Sequence, residues 1–136
     1  MNSQSVNEHV CERLKFKMKK IEHKIAVAVM AWWAYSHKRL GVPDQRLLFA
    51  IPNGGLRNKR VAMDLKAEGV RAGIPDYFLA VPRQGKAGLF IELKAEKGRL
   101  SPEQGEMLEI LGGQGYGRSI AYGTEEAIKA IEGYLS

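Results

Sequence analysis

The stretch "GIPDYFLAVPRQGKAGLFIELKAEKG", residues 73–98, decides the fold. Within it "DYFLAV" and "GLFIELKA" are apolar, strand-forming runs, and "PRQGKA" between them carries turn signals, so the whole reads as a β-hairpin. Side chains alternate across a strand, which sends Leu89, Ile91 and Leu93 to one face and Phe90, Glu92 and Lys94 to the other. One face is core. The other sets a carboxylate and an ammonium two residues apart. Asp76 opens the first strand behind Pro75, which keeps Ile74 out of helical geometry, while Gly73 permits a sharp turn. Pairing of the two strands brings Asp76 beside Glu92.

Working outward, residues 6–37 form an apolar stripe at three- and four-residue spacing through Ile21, Ile25, Ala28, Val29, Trp32 and Trp33, the mark of one long helix or two broken at "KFKMKK". "GVPD" ends it. "RLLFAI" reads as a short buried strand and "PNGG" as a turn. "NKRVAMDLKAEG" reads as a helix with Asn58 as N-cap and Gly69 past its end. Beyond the hairpin, "SPEQGEMLEILGG" opens a helix with Ser101 as N-cap, Pro102 at the first helical position and Gln104 in capping-box register, with Gly112 and Gly113 beyond its end. "GRSIAY" is a fourth strand, and "TEEAIKAIEGYL" a last helix capped by Thr124. The expected fold is α/β: one domain over residues 1–136, with a mixed sheet of about four strands flanked by helices.

The 136 residues suffice for a core without a metal or disulfide staple. Cys11 is the single cysteine, so no internal disulfide forms and a reducing, cytoplasmic setting is expected. No apolar run approaches a membrane span, and no membrane partner is expected. Charge is more informative. Residues 1–99 carry 19 Lys and Arg against 9 Asp and Glu, whereas residues 100–136 carry 2 against 6. This asymmetry suits a basic face that meets a polyanion, with the acidic helices turned away. His9 and His37 make no ligand spacing with Cys11, His23 points to solvent, and the two tryptophans read as core rather than as platforms for bases.

Two carboxylates converging at Asp76 and Glu92 repel each other unless a cation sits between them, and hard oxygen ligands favour Mg2+ or Mn2+, with the Leu93 carbonyl as a further ligand. Such an ion acidifies a bound water and polarises a phosphoryl oxygen; the Lys94 ammonium beside it orients the nucleophile or offsets developing negative charge. That is the chemistry of phosphodiester hydrolysis. The plainer alternative makes Glu92 and Lys94 an ion pair on a solvated strand and Asp76 a turn residue.

"GIPDYFL" followed by "FIELKAEKGRLSPEQ" resembles the PD-(D/E)xK nuclease superfamily, and within it the virus-type replication-repair nuclease family, VRR-NUC. The combination "IPNGG", "LKAEGVRAGIPD", "IELK" and "LSPEQ", in that order, is its specific part, and it extends from about Glu22 to the final helix. The resemblance implies a restriction-endonuclease-like catalytic core over about residues 20–136 behind a helical segment of about 1–38. It implies metal binding by Asp76 and Glu92, with Lys94 as the catalytic lysine. It also implies that Glu22, on the first core helix, completes the acidic cluster, and that Gln104 reaches the site from the start of its helix, although the capping box alone accounts for that glutamine. Asn53, Gly54 and Gly55 are expected to bring backbone close to a phosphate. Arg57, Lys59, Arg60, Lys66, Arg71, Lys97 and Arg99, with Arg83 and Lys86, are basic neighbours from which DNA contacts are expected.

Stand-alone members of the family that the chain resembles act as homodimers on branched DNA, notably four-way Holliday junctions. The resemblance therefore implies a Mg2+- or Mn2+-dependent, structure-selective endodeoxyribonuclease of phage-type replication or repair, in the host cytoplasm if the source is viral. Cutting of flaps, nicks or plain duplex is the alternative within the same chemistry. A nucleic-acid-binding protein without catalysis is the alternative outside it.

Overall fold

The computed structural model describes residues 3–52 and 58–136. A single long helix, α1 (Ser3–Ser36), leads through a 3-10 turn (Gln45–Leu47) into β1 (Leu48–Ala50). Then follow α2 (Lys59–Ala67), β2 (Tyr77–Leu79), β3 (Leu89–Lys94), α3 (Pro102–Gly113), β4 (Gly117–Tyr122) and α4 (Thr124–Leu135). The expected order of elements holds, and α1 is not broken at "KFKMKK". No helix among the described residues is long and apolar enough to cross a membrane.

The sheet runs β1-β2-β3-β4, antiparallel until β4 joins β3 in parallel. The two kinds of pairing follow from the connections. "PRQGKA" turns tightly, with Gln84 and Gly85 both at positive φ and Arg83 and Lys86 exchanging backbone hydrogen bonds, the geometry of a type I′ hairpin. Between β3 and β4 the chain instead crosses through α3, as parallel strands require.

Leu89, Ile91 and Leu93 pack with Leu48, Leu79 and Ala121 against Ile25, Val29 and Trp33 of α1 and Ala127, Ile131 and Leu135 of α4. Trp33 is 1% exposed, and its indole N–H donates to the Gln45 carbonyl at 2.8 Å, so one residue fills the core and fixes the turn after α1. Both tryptophans belong to packing, as expected, with Trp32 half-buried. The stripe is narrower than the sequence suggested: Ile21 and Ala28 are exposed, because only a slender face of α1 meets the sheet.

The opposite face carries the aromatic row Phe49, Phe78, Phe90 and Tyr116. It is joined by α3, which Arg118 clasps by donating to the Leu108 carbonyl at 2.8 Å. A Cβ at Gly112 would lie 2.5 Å from the Arg118 guanidinium carbon. Gly112 and Gly113 therefore lie within α3 rather than beyond it; the left-handed turn comes at Gly115, φ +90°. Thr124 likewise starts α4 without capping it, since Gly123 takes the cap position and no side chain bonds there. Ser101 and Asn58 cap their helices as expected, and the reciprocal Ser101–Gln104 bonds are both made.

Candidate active site

Antiparallel pairing puts the end of β1, the start of β2 and the end of β3 at one edge of the sheet. Helices from both faces meet there. Continuing the register of Tyr77 with Ile91 by one step sets Asp76 opposite Glu92, and by two sets Pro75 opposite Leu93. Asp76 reaches across this pairing with its side chain, its Oδ2 accepting from the Leu93 N–H at 2.7 Å. Because the N–H and C=O of one strand residue leave on the same side, the Leu93 carbonyl also faces this edge.

Glu92 is 2% exposed, and two donors converge on its Oε1: the Gln104 amide at 3.0 Å and the Lys94 ammonium at 3.5 Å. Lys94 is 8% exposed. Burial and then the neighbouring Asp76 carboxylate push the Glu92 carboxyl up to about 8, against the opposing pull of Lys94. Glu22, one helical face away on α1, accepts from the Ala95 N–H at 3.4 Å. Its carboxyl is raised by burial, with Lys94 pulling it down and Asp76 adding to the rise. Asp76, Glu92, Lys94, Gln104 and Glu22 therefore line one cavity of about 580 Å³, a volume in the range of ligand pockets.

The loop before Asp76 is held to α3 by Gly73, at φ +83°, where a Cβ would lie 2.6 Å from the Glu103 carbonyl oxygen. No other residue fits so close to another backbone. This contact seats Asp76 next to the N-terminus of α3, and with it Gln104, whose side chain serves both the capping box and Glu92. Capping and a place in the site thus coexist in one glutamine.

The donor set suits a hard divalent cation. Two carboxylates meet with the Leu93 carbonyl on the same edge, and burial together with the Asp76 charge raises the Glu92 carboxyl, a cost that a cation held between the two would relieve. Among the described residues no three of His, Cys, Asp and Glu make a ready-built metal cage. Asp76 and Glu92 are therefore the pair that would hold the ion, with water and phosphate oxygens for its other positions.

Sequence reasoning missed Lys19 and understated His23, both of which line the cavity. Lys19 sits three residues before Glu22, one helical turn away on the same face, and that spacing is the signal that could have found it. His23 is exposed, as expected, but at the cavity rim. Asn53, Gly54, Gly55 and Arg57 lie outside the described residues; the chain enters that segment from Ala50 and Ile51, which line the cavity. Lys59, Arg60, Lys66 and Arg71 are exposed on or beside α2, a helix with no buried residue, and do not line it. Lys97 is exposed on the turn after β3, and Arg99 borders a neighbouring groove. Arg83 and Lys86 are at the far tip of the hairpin, roughly 20 Å from Glu92 by strand rise, and do not line the cavity.

A family model described as VRR-NUC domain matches residues 18–125. Among solved structures, a chain called "VRR_NUC domain protein" is similar over 85% of this chain and 90% of its own, with a TM-score of 0.73 and 28% sequence identity. Comparison with the curated proteins finds no match.

Proposed function

The chain belongs to the VRR-NUC domain family, nucleases of the PD-(D/E)xK type, and we propose that it is a Mg2+- or Mn2+-dependent endodeoxyribonuclease that cuts branched DNA, four-way junctions in particular, as a homodimer. The observation that carries this reading is the convergence of Asp76, Glu92 and Lys94 at one sheet edge, with Lys94 held within 3.5 Å of Glu92 in a largely buried position. A solvated surface ion pair would not bury both partners this deeply.

Asp76 and Glu92 would hold a divalent ion, which would supply an acidified water and a counter-charge for the phosphoryl oxygens. Lys94 donates from its ammonium to the attacking water or to the phosphoryl oxygen, where negative charge grows as the water oxygen bonds to phosphorus; the leaving oxygen departs with the electron pair of the broken P–O bond and takes a proton from water. Gln104 fixes the Glu92 carboxylate through its amide. Glu22, anchored at the Ala95 N–H, adds a third acid from the α1 side. For the homodimer, α1 leaves Val6, Val10, Leu14 and Ile21 exposed on one flank, apolar surface for a second copy of the chain to cover. Two sites related by symmetry suit paired cuts in a four-way junction.

The test is cleavage of end-labelled four-way junction, flap and linear duplex in parallel with Mg2+ or Mn2+, with Lys94→Ala as control and the mass in solution measured alongside. Paired symmetric cuts confined to the junction, made by a dimer and lost in Lys94→Ala, are the expected result. Comparable cutting of every substrate would move the reading to a general nuclease. Tight DNA binding without metal-dependent cutting would overturn it in favour of a non-catalytic binder.

A further inference from the structure

A second cavity, of about 470 Å³, adjoins the first. Its walls are the N-terminal half of α1 and the turn that follows β3. Lys19, Glu22 and Lys94 line both cavities, so the groove opens directly into the catalytic one. Glu12, Lys15, Phe16 and Arg99 belong to the groove and not to the catalytic cavity.

Packing into the core does not explain the position of this half of α1. No residue of α1 before Ile25 is buried. At about 1.5 Å per residue, Ser3 to Lys20 is a rod of roughly 27 Å, and Glu12 to Lys19 run beside the turn after β3. Its face toward the turn sets Lys15 and Lys19, one turn apart, between Glu12 and Glu22, and Arg99 and Lys94 across the groove tip the lining to four cations against two carboxylates. Lys15, Lys19 and Arg99 are exposed. The floor is tight, since a Cβ at Gly98 would come within 3.3 Å of the Lys94 side chain, and a glycine there lets the turn close over the catalytic lysine. Phe16 adds an aromatic ring at the wall, 55% exposed, with the Lys20 ammonium 4.8 Å from its centre. Exposed cations on both walls, with an exposed ring and an opening onto the cutting site, are the features that bind a nucleic-acid strand.

We propose that this groove is a strand-binding subsite: it takes the nucleotides on one side of the scissile phosphate, with Lys15, Lys19 and Arg99 on successive phosphates and Phe16 against a base. The proposal rests on the nuclease reading and names where its substrate strand leaves the site. The flank of Val6, Val10 and Leu14 lies on a different side of α1, so a second copy bound there leaves the groove open.

The test is fluorescence anisotropy of a labelled four-way junction against Glu92→Gln protein, in which cleavage is blocked and no metal is needed, over a series of salt concentrations. Lys15→Ala with Arg99→Ala is compared with Lys38→Ala with Lys129→Ala, which removes equal charge from the turn after α1 and from α4, where neither lysine lines either cavity. The groove pair is expected to lower the slope of log affinity against log salt by about 1.5 to 2, and to weaken binding about tenfold or more at moderate salt. The control pair is expected to change both far less. A groove pair indistinguishable from the control overturns the subsite and leaves the nuclease reading intact. Absence of DNA binding by the Glu92→Gln parent overturns both. In active protein, trimming the strand nucleotide by nucleotide is expected to slow subsaturating turnover on one side of the cut, and the groove pair to abolish that dependence; retained dependence counts against the proposal.

Discussion

Replacing Glu92 by glutamine is expected to end cleavage and to stabilise the metal-free protein at the same time. The Glu92 carboxyl, buried beside Asp76, titrates at about 8 in the folded chain against an ordinary value of 4.5. The folded state therefore holds a proton that the unfolded state has released between these values. Its stability is greatest below about pH 4.5 and falls as pH rises through 8. At about 1.4 kcal/mol per pH unit, the cost is roughly 3 kcal/mol at pH 7 and about 4 at pH 8. Glutamine does not titrate, can accept from Gln104 and Lys94 through its oxygen, and can donate to Asp76 through its amide. Allowing for imperfect fit, Glu92→Gln is expected to gain about 2–4 kcal/mol at pH 8 and almost nothing at pH 5. Thermal unfolding in EDTA at the two pH values reads this as a rise of roughly 6–15 °C at pH 8 only. Equal shifts at both pH values, or a loss of stability at pH 8, would refute the account of Glu92 as a carboxyl raised by burial and by Asp76.

Gly73→Ala should cost about 2–4 kcal/mol in urea denaturation, since an L side chain at φ +83° is strained and its Cβ would strike the Glu103 carbonyl. A cost under about 0.5 kcal/mol would deny that the loop and α3 are locked together there. Gln104→Ala should lose about 1–2 kcal/mol with the capping box and slow turnover about tenfold or more. Gln104→Glu should restore most of the cap but not the turnover, and full turnover in it would reduce this residue to a cap. Calcium should support junction binding while giving little cutting, because its larger and looser coordination holds the attacking water poorly; a rate equal to that with Mg2+ would count against the Asp76–Glu92 site.

The fold was legible where local rules act alone. Ser101, Pro102 and Gln104 announce a helix start that needs no tertiary help, and a short turn-rich link between two apolar runs leaves little but a hairpin. It was less legible where a long-range contact overrides the local signal. Gly112 resembles a helix stop until Arg118, from the next strand, is seen to need the space. Ile21 fits the apolar stripe of α1, but the sheet beneath is too narrow to reach it. The flanking arginines and lysines were the least legible, since a hairpin separates by its full length residues such as Lys86 and Glu92 that lie six apart in the chain.

The site was readable because its parts are tied to backbone geometry. The Asp76 side chain accepts from the Leu93 N–H, and that one hydrogen bond to the neighbouring strand places an acid beside Glu92. Glu22 and Lys19 lack such a tie. Their positions depend on where a 34-residue helix crosses the sheet, which Trp33, Val29 and Ile25 decide at its other end. Those core residues therefore act on the site at a distance: repacking Trp33 would rotate or slide α1, and with it the one acid and the lysines that reach Lys94 from that side. Trp33→Phe, which keeps an aromatic core but loses the indole hydrogen bond to Gln45, should leave Asp76 and Glu92 in place while weakening whatever Glu22 and Lys19 contribute. A turnover defect in Trp33→Phe that is smaller in a Glu22→Ala background would show that α1 delivers its groups to the site as one rigid lever; additive defects would show that it does not.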